Sequence, residues 1–330
     1  MPGHVYLDWN ATTPPHPDVL RAMREAEPVA WANPSSVHGP GRRARAFVEA
    51  AREAVAGLVG LDARDVVLTS GGTEANNLAL SHAFADGAGA LVVARVEHPS
   101  VVRVAEALGR RGVHVVWVDP APSGEVAAEA VLGAVDRASA EGREVRLVSL
   151  QAVNHETGVV QPVAGVAEGL AERRSAGARP GPRLHVDAVQ AVGRLPARAW
   201  AGADLVTIAA HKLRGPKGVG AVATRPGVAL APLFAGGAQE RGLRPGTQDP
   251  VACAGLAAAA RRALGGPPRD EALAPLRDRL EARLVAVAGD AGAAASVNGT
   301  ARRAPHVTNL SFEGWRGDEV AAALDLEGVA

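Results

Sequence analysis

An α/β fold with a mostly parallel sheet is predicted by two observations: short β-rich apolar runs recur through most of the chain, and segments long enough for helices lie between them. The strand candidates are Val66–Thr69, Ala90–Ala94, Val113–Val118, Val145–Leu150, Leu184–Val186, Leu205–Ile208 and Val219–Ala223, enough for a seven-stranded sheet. Helix candidate Thr73–Ala85 follows the first strand and Pro99–Arg111 the second. In a third, Val163–Arg174, the residues Val163, Val166 and Leu170 share one face at i, i+3, i+7 spacing. Strands alternating with helices in this way pair in parallel under helices on both faces, and such sheets bind ligands at the carboxyl ends of their strands. Gly265-Gly266-Pro267-Pro268 breaks the alternation. A second, smaller domain is expected to start there, with a charged helix Glu271–Ala288, a strand Val307–Phe312 and a helix Gly317–Leu326.

Composition narrows the function. The chain has 330 residues, 47% hydrophobic and 21% charged, ordinary values for a globular protein with a sizeable core. Thirty-five basic residues balance 35 acidic ones, so no general attraction to nucleic acid or an anionic membrane is expected, and a small ligand is the better partner. No apolar run approaches the roughly 18–20 residues that span a bilayer, and Asp8 comes too early for a secretory signal. A cytoplasmic location is expected. Cys253 is the only cysteine, which excludes an intrachain disulfide and a cysteine-based metal site; at the start of an alanine-rich helical pattern it reads as a packed small residue.

Polar residues with chemical potential gather after the strands. Thr69-Ser70-Gly71-Gly72-Thr73-Glu74 runs from a strand into a helix, where glycines let an anion approach and free amides point at it; the same residues also make an ordinary turn and cap. His98 lies between a strand and a helix, placed either to stack on a flat ring or to cap the helix. Asn154, in Asn154-His155-Glu156-Thr157-Gly158, is able to hydrogen-bond a ligand oxygen or to form a turn. Asp187 ends an apolar strand, a costly place for a carboxylate without a partner, and Gln190 follows three positions later. Lys212, in His211-Lys212-Leu213-Arg214-Gly215-Pro216-Lys217-Gly218, follows another strand. An isolated loop lysine is ordinarily solvated. A lysine amine held close and partly unprotonated condenses with a carbonyl, and a nearby aspartate keeps the ring nitrogen of pyridoxal phosphate cationic as an electron sink.

In order and kind, these motifs resemble those of the cysteine desulfurases, in the class V aminotransferase group of fold type I pyridoxal phosphate enzymes. Further matching pieces are Tyr6–Pro14, Asn33–His38, Glu97-His98 and Gly236–Thr247, so the resemblance covers nearly the whole chain. It implies a large cofactor-binding domain over residues 14–264 and a smaller α+β domain from 1–13 and 269–330. It also implies that Lys212 carries the cofactor, that Gly72, Thr73 and His211 bind its phosphate, and that His98 stacks on its ring and assists proton transfer. Asn154 and Gln190 would contact the phenolic side and Asp187 the ring nitrogen. Thr247 would reach the phosphate of a second subunit, implying a homodimer. The implied reaction converts L-cysteine to L-alanine and passes sulfur, as a persulfide, to an acceptor such as an iron–sulfur scaffold.

Two departures stand out. Ala209 occupies the place of a family serine whose hydroxyl binds the phosphate, so one hydrogen bond, about 1–3 kcal/mol for a charged acceptor, is expected to be missing. The family's persulfide-forming cysteine and a substrate-carboxylate arginine belong to a segment beyond Ala330, so the small domain is expected to be incomplete, with Val329-Ala330 beginning another strand. Two alternatives stay open: a related pyridoxal phosphate lyase acting on selenocysteine or cysteine sulfinate, and a catalytically silent cofactor-binding subunit.

Overall fold

The computed structural model describes residues 5–176 and 181–330. Two helices, α1 (Pro17–Ala26) and α2 (Gly39–Val59), precede the sheet. Then β1 (Val66–Thr69), α3 (Gly72–Ser81), β2 (Ala90–Ala94), α4 (Pro99–Arg110), β3 (His114–Val118), α5 (Ala128–Ala140), β4 (Val145–Ser149), α6 (Val163–Ala176), β5 (Arg183–Asp187), β6 (Leu205–Ala209) and β7 (Gly220–Thr224) follow in order. The seven strands form one sheet, ordered β1-β7-β6-β5-β4-β2-β3.

The pairs β2–β3, β2–β4, β4–β5 and β5–β6 are parallel, whereas β7 is antiparallel to both β6 and β1. The exception follows from chain length. A parallel crossover takes a dozen or more residues, usually a helix, and the link from Ala209 to Gly220 is too short. It doubles back as a tight loop instead, and that loop carries His211 and Lys212. Strands β2, β6 and β7 are buried along their entire length, as a sheet covered on both faces requires. Alternate residues divide between two apolar layers. Val66, Leu68, Val92 and Val148 face the side covered by α2, α5, α6 and α7 (Pro250–Ala263), and Val67, Leu91, Val93 and Val222 face α3 and α4.

Beyond Ala263 come α8 (Pro267–Glu271), α9 (Ala274–Asp290), β8 (Ala295–Val297), β9 (Leu310–Phe312) and α10 (Gly317–Leu326). β8 and β9 form an antiparallel pair outside the main sheet. The charged helix expected from Glu271 starts at Ala274, because Pro267–Glu271 already forms a separate short helix ending at Ala272. The last strand is shorter than expected, since Val307 is buried in the main core and not paired in the ladder. Val329 makes a parallel bridge with Val5. Among the described residues no helix is long and apolar enough to cross a membrane; residues 1–4 of the expected 1–13 segment lie outside them.

Candidate active site

The carboxyl ends of β5 and β6 lie side by side and deliver Asp187, Gln190, His211 and Lys212 to one cavity of about 500 Å³. The start of α3 adds Gly72, Thr73 and Asn76, the β2–α4 link adds His98 and Ser100, and the N-terminal segment adds Asp8, Asn10 and Ala11. A larger hollow, about 690 Å³, lies between α2 and residues 238–248. Its buried charges are already paired, Arg52 with Glu240 and Glu49. The smaller cavity holds the reactive groups.

Asp187, 7% exposed, accepts from the Val189 N–H at 3.0 Å and from Asn76 Nδ2 at 2.7 Å. The same Asn76 amide donates to Ser100 Oγ at 2.8 Å, and that hydroxyl contacts His98 Nδ1 at 2.7 Å. The Ser100 backbone N–H also donates to His98 Nδ1, at 3.1 Å. An N–H pointing at Nδ1 makes that nitrogen the acceptor, so the neutral ring carries its proton on Nε2. Burial and then the Lys212 charge disfavour protonation of His98, while Asp187 opposes them. The residue therefore does both things its sequence position allowed: it caps α4 and its ring lines the cavity.

Burial lowers the Lys212 amine to about 8, with Arg194 as the next cause. Its Nζ donates to the carbonyls of Asn10 and Ala11, the latter at 3.0 Å. His211 is lowered to about 4, by burial first and by Lys212 second, and its Nδ1 lies 3.1 Å from Thr12 Oγ1. At the opposite wall α3 begins without a side-chain cap, after Gly71 at φ 155, a conformation open only to glycine. A Cβ on Gly72 would stand 3.2 Å from Val189 and 3.4 Å from Ala209, filling the space in front of the helix amides. The Ala209 methyl therefore sits beside the place where an anion would meet α3.

Behind the cavity runs a buried polar chain. Ser149 Oγ donates to Glu97 Oε1 at 3.1 Å and lies 2.9 Å from His185 Nδ1, whose Nε2 lies 3.1 Å from Thr207 Oγ1. Burial, reinforced by Asp187, raises Glu97 well above the ordinary carboxyl range, and burial pushes His185 down to about 3. Asp187 is thus backed by a His185 ring that burial keeps neutral and by a Glu97 carboxyl that burial drives toward its protonated form.

Two residues expected at the site stand apart from the cavity. Asn154 spends its amide on Val96 O at 3.0 Å and its oxygen on the Thr157 and Glu156 N–H groups, at 2.8 and 3.1 Å. It holds a turn that delivers His155, whose ring meets His98 edge-on at 5.0 Å between centroids. Thr247 is exposed and lies outside the cavity of its own chain. Asn76, Ser100, His155 and Arg194 were not singled out from the sequence. For Asn76 a signal existed, since it lies one helical turn after Thr73 on the helix that opens at the glycine pair; the others have no local pattern.

The donor set fits pyridoxal phosphate: an uncapped helix start with a cleared glycine for the phosphate, a buried carboxylate for the ring nitrogen, and a lysine of lowered basicity, all lining one cavity. Among the described residues, Asn76 Oδ1 and His155 Nδ1 are buried without partners. Fold and site together define a class, enzymes that do amine chemistry at a lysine on the strand ends of a parallel sheet. Comparison with known proteins makes the class specific: the aminotransferase class-V family model matches residues 5–330, and the chain belongs to that family. It is 39% identical to a cysteine desulfurase of Cereibacter sphaeroides, over 98% of this chain and 81% of that one. It is 37% identical to a selenocysteine lyase of Bos taurus, over 94% and 76%. A solved NifS-like protein superposes with a TM-score of 0.86 at 31% identity, over 99% of this chain and 86% of the other.

Proposed function

We propose that this chain is a pyridoxal phosphate-dependent cysteine desulfurase. The observation that carries the reading is the meeting of Lys212, lowered to about 8, with Asp187 in one cavity at the ends of adjacent parallel strands. When bound, the cofactor supplies an aldehyde for the substrate amine and a ring that draws electrons from the substrate α-carbon. Asp187, fixed by Val189 and Asn76, would hold the ring nitrogen of the cofactor as a cation. Thr73, His211 and the α3 amides would hold the phosphate, Gln190 would contact the phenolic oxygen and the neutral His98 ring would stack on the cofactor ring. Lys212 takes and returns the proton at the α-carbon. In the overall reaction the C–S bond of L-cysteine breaks, a thiolate takes the sulfur as a persulfide, and the carbon skeleton leaves as L-alanine.

Cys253 is not that thiolate. It is 2% exposed and burial pushes its thiol up to about 12, with Glu240 the next cause, whereas the thiolate is the reactive form. The desulfurase among the relatives supports L-cysteine as substrate. The selenocysteine lyase favours a second reading, in which the same site releases selenium without a cysteine nucleophile. We further assign residues 14–264 to the cofactor-binding unit, and 1–13 with 269–330 to a second unit packed beside it. The exposed Thr247 supports a homodimer in which it reaches the partner's cofactor. The sulfur acceptor is read as an iron–sulfur scaffold protein, and the location as cytoplasmic.

Borohydride reduction of the cofactor-loaded protein, followed by peptide mass mapping, is expected to find the cofactor mass on Lys212. The Lys212→Ala variant should show none. Cofactor trapped on Lys217, or trapped as before in that variant, would refute the assignment. Amino-acid analysis after incubation with L-cysteine and with L-selenocysteine, each with dithiothreitol present to supply the thiolate that takes the sulfur, separates the two readings by which one yields alanine.

A further inference from the structure

Arg194 is a buried cation that the family assignment leaves unexplained. It is 7% exposed, and burial pushes even its guanidinium down to about 10. Asp270, on α8, is the one carboxylate that acts on it, without an ion pair among the described residues. A charge in this position is costly unless its donors are used. They are used on the site: Arg194 Nη1 donates to Gln190 Oε1, and Nη2 donates to the Lys212 carbonyl at 3.1 Å. Gln190 Nε2 donates in turn to Asn10 O at 3.0 Å, the same carbonyl that receives Lys212 Nζ. Arg194, Gln190, Asn10 and Lys212 therefore close a ring of hydrogen bonds linking the turns after β5 and β6 to the N-terminal segment.

We infer that Arg194 is a positioning residue for Lys212, a permanent cation fixed behind the lysine that repels a proton on its amine and sets its place relative to Gln190. This rests on the reading of Lys212 as the cofactor lysine. The charged and titratable groups around Lys212 are Arg194, Asp187, Asp8, His98, His155 and His211. Asp187 and Asp8 favour the ammonium form. The three histidines are all lowered, chiefly by burial, and are neutral at the pH where the lysine titrates. That leaves Arg194 as the fixed positive neighbour, and a like charge nearby disfavours protonation. Arginine suits the position because it stays charged when buried and its fork spans two acceptors.

The sequence supplies an internal reference, since Lys212 and Lys217 are its only lysines and Lys217 is exposed. The full chain, stripped of cofactor, would be reductively methylated over a pH series and each lysine's reactivity read by peptide mass spectrometry. In Arg194→Gln the midpoint for Lys212 is expected to rise by about one unit, a tenfold loss of neutral amine below it, while Lys217 does not move. Arg194→Lys adds a third lysine whose own midpoint is read in the same series: if residue 194 is still protonated where Lys212 titrates, the Lys212 midpoint should stay within a few tenths of a unit of the parent, and if burial has neutralised residue 194 it should rise as in Arg194→Gln. An unmoved Lys212 midpoint in a folded Arg194→Gln protein, checked by circular dichroism, would overturn the inference. If that variant does not fold, Arg194→Lys decides: a rise of about one unit at Lys212 while residue 194 remains protonated would assign the effect to the fork and overturn the charge argument. Because the readout needs no cofactor, its failure is distinct from failure of borohydride trapping at Lys212.

Discussion

Lys212 is an ordinary surface residue by type and a reactive one by place. Its loop reads as an ordinary turn, yet its amine is lowered to about 8 because β6 carries it into a buried cavity lined by Asp187, with Arg194 as the next cause. Ala209 shows how one methyl tunes such a site. The serine it replaces in the family would offer a hydroxyl close to the α3 amides, so Ala209→Ser is expected to tighten pyridoxal phosphate binding about tenfold, near 1.4 kcal/mol, in fluorescence titration. Affinity unchanged or weaker would show that the phosphate lies elsewhere. Cys253 gives the opposite lesson. Buried at 2% exposure with a thiol near 12, it should resist iodoacetamide at pH 8 in the folded protein and react fully in denaturant.

At the scale of elements, helix starts carry much of the design. His16, His38 and His98 each cap a helix through Nδ1, accepting the N–H of Asp18 at 3.1 Å, Gly41 at 3.2 Å and Ser100 at 3.1 Å. Proline follows within the first turn each time and fixes the entry angle. Asp249 caps α7, taking the N–H groups of Val251 and Ala252 at 2.8 and 3.1 Å. Asp249→Ala should cost about 1 kcal/mol in urea unfolding, with the m-value unchanged. Helix α3, like α5, α8 and α9, has no side-chain cap, but its start lines the cavity and keeps its amides for a ligand. Most of these elements were legible in the sequence: β1 and β2 begin and end where their apolar runs do, and β3 to β7 lie within two residues of theirs. Helices α1 and α2 were not singled out, although in α1 Val19, Met23 and Ala26 recur on one face at i, i+4, i+7.

For the whole molecule, one buried ion pair ties the loop before Thr247 to the core. Arg52 Nη1 and Nη2 donate to Glu240 at 2.7 and 2.9 Å, and the Leu68 N–H adds a third bond at 2.9 Å. Glu240 itself has φ 48, a left-handed backbone that these contacts hold in place. Removing one partner strands the other, so Arg52→Ala is expected to lose about 3–5 kcal/mol by chemical denaturation. The pair also gives the fold an acid limit. Burial opposes ionisation of Glu240, but the hydrogen bonds from Arg52 outweigh it and hold the carboxyl below its usual 4.5. The native state then binds fewer protons than the unfolded chain, so this stability is full above 4.5 and is lost as pH falls through the lowered value. Arg52→Ala should flatten the melting temperature against pH in that window.

The sequence by itself determined the strands, the alternation that makes a largely parallel sheet, and the residues Lys212, Asp187, His98, Gly72, Thr73, Gln190 and His211, which all line the cavity. Strands and turns were legible because side-chain period and turn composition are local properties of the chain; the site residues were picked out by their places after strands and by the motifs shared with the cysteine desulfurases. The tertiary structure alone decided that β7 runs antiparallel, that Asn154 holds a turn, and that Asn76 and Ser100 connect Asp187 to His98. It also decided that Arg194 stands behind Lys212. Strand direction depends on how far a link must reach, and pKa on which charges share a low-dielectric space; neither is written in the spacing of residues along the chain.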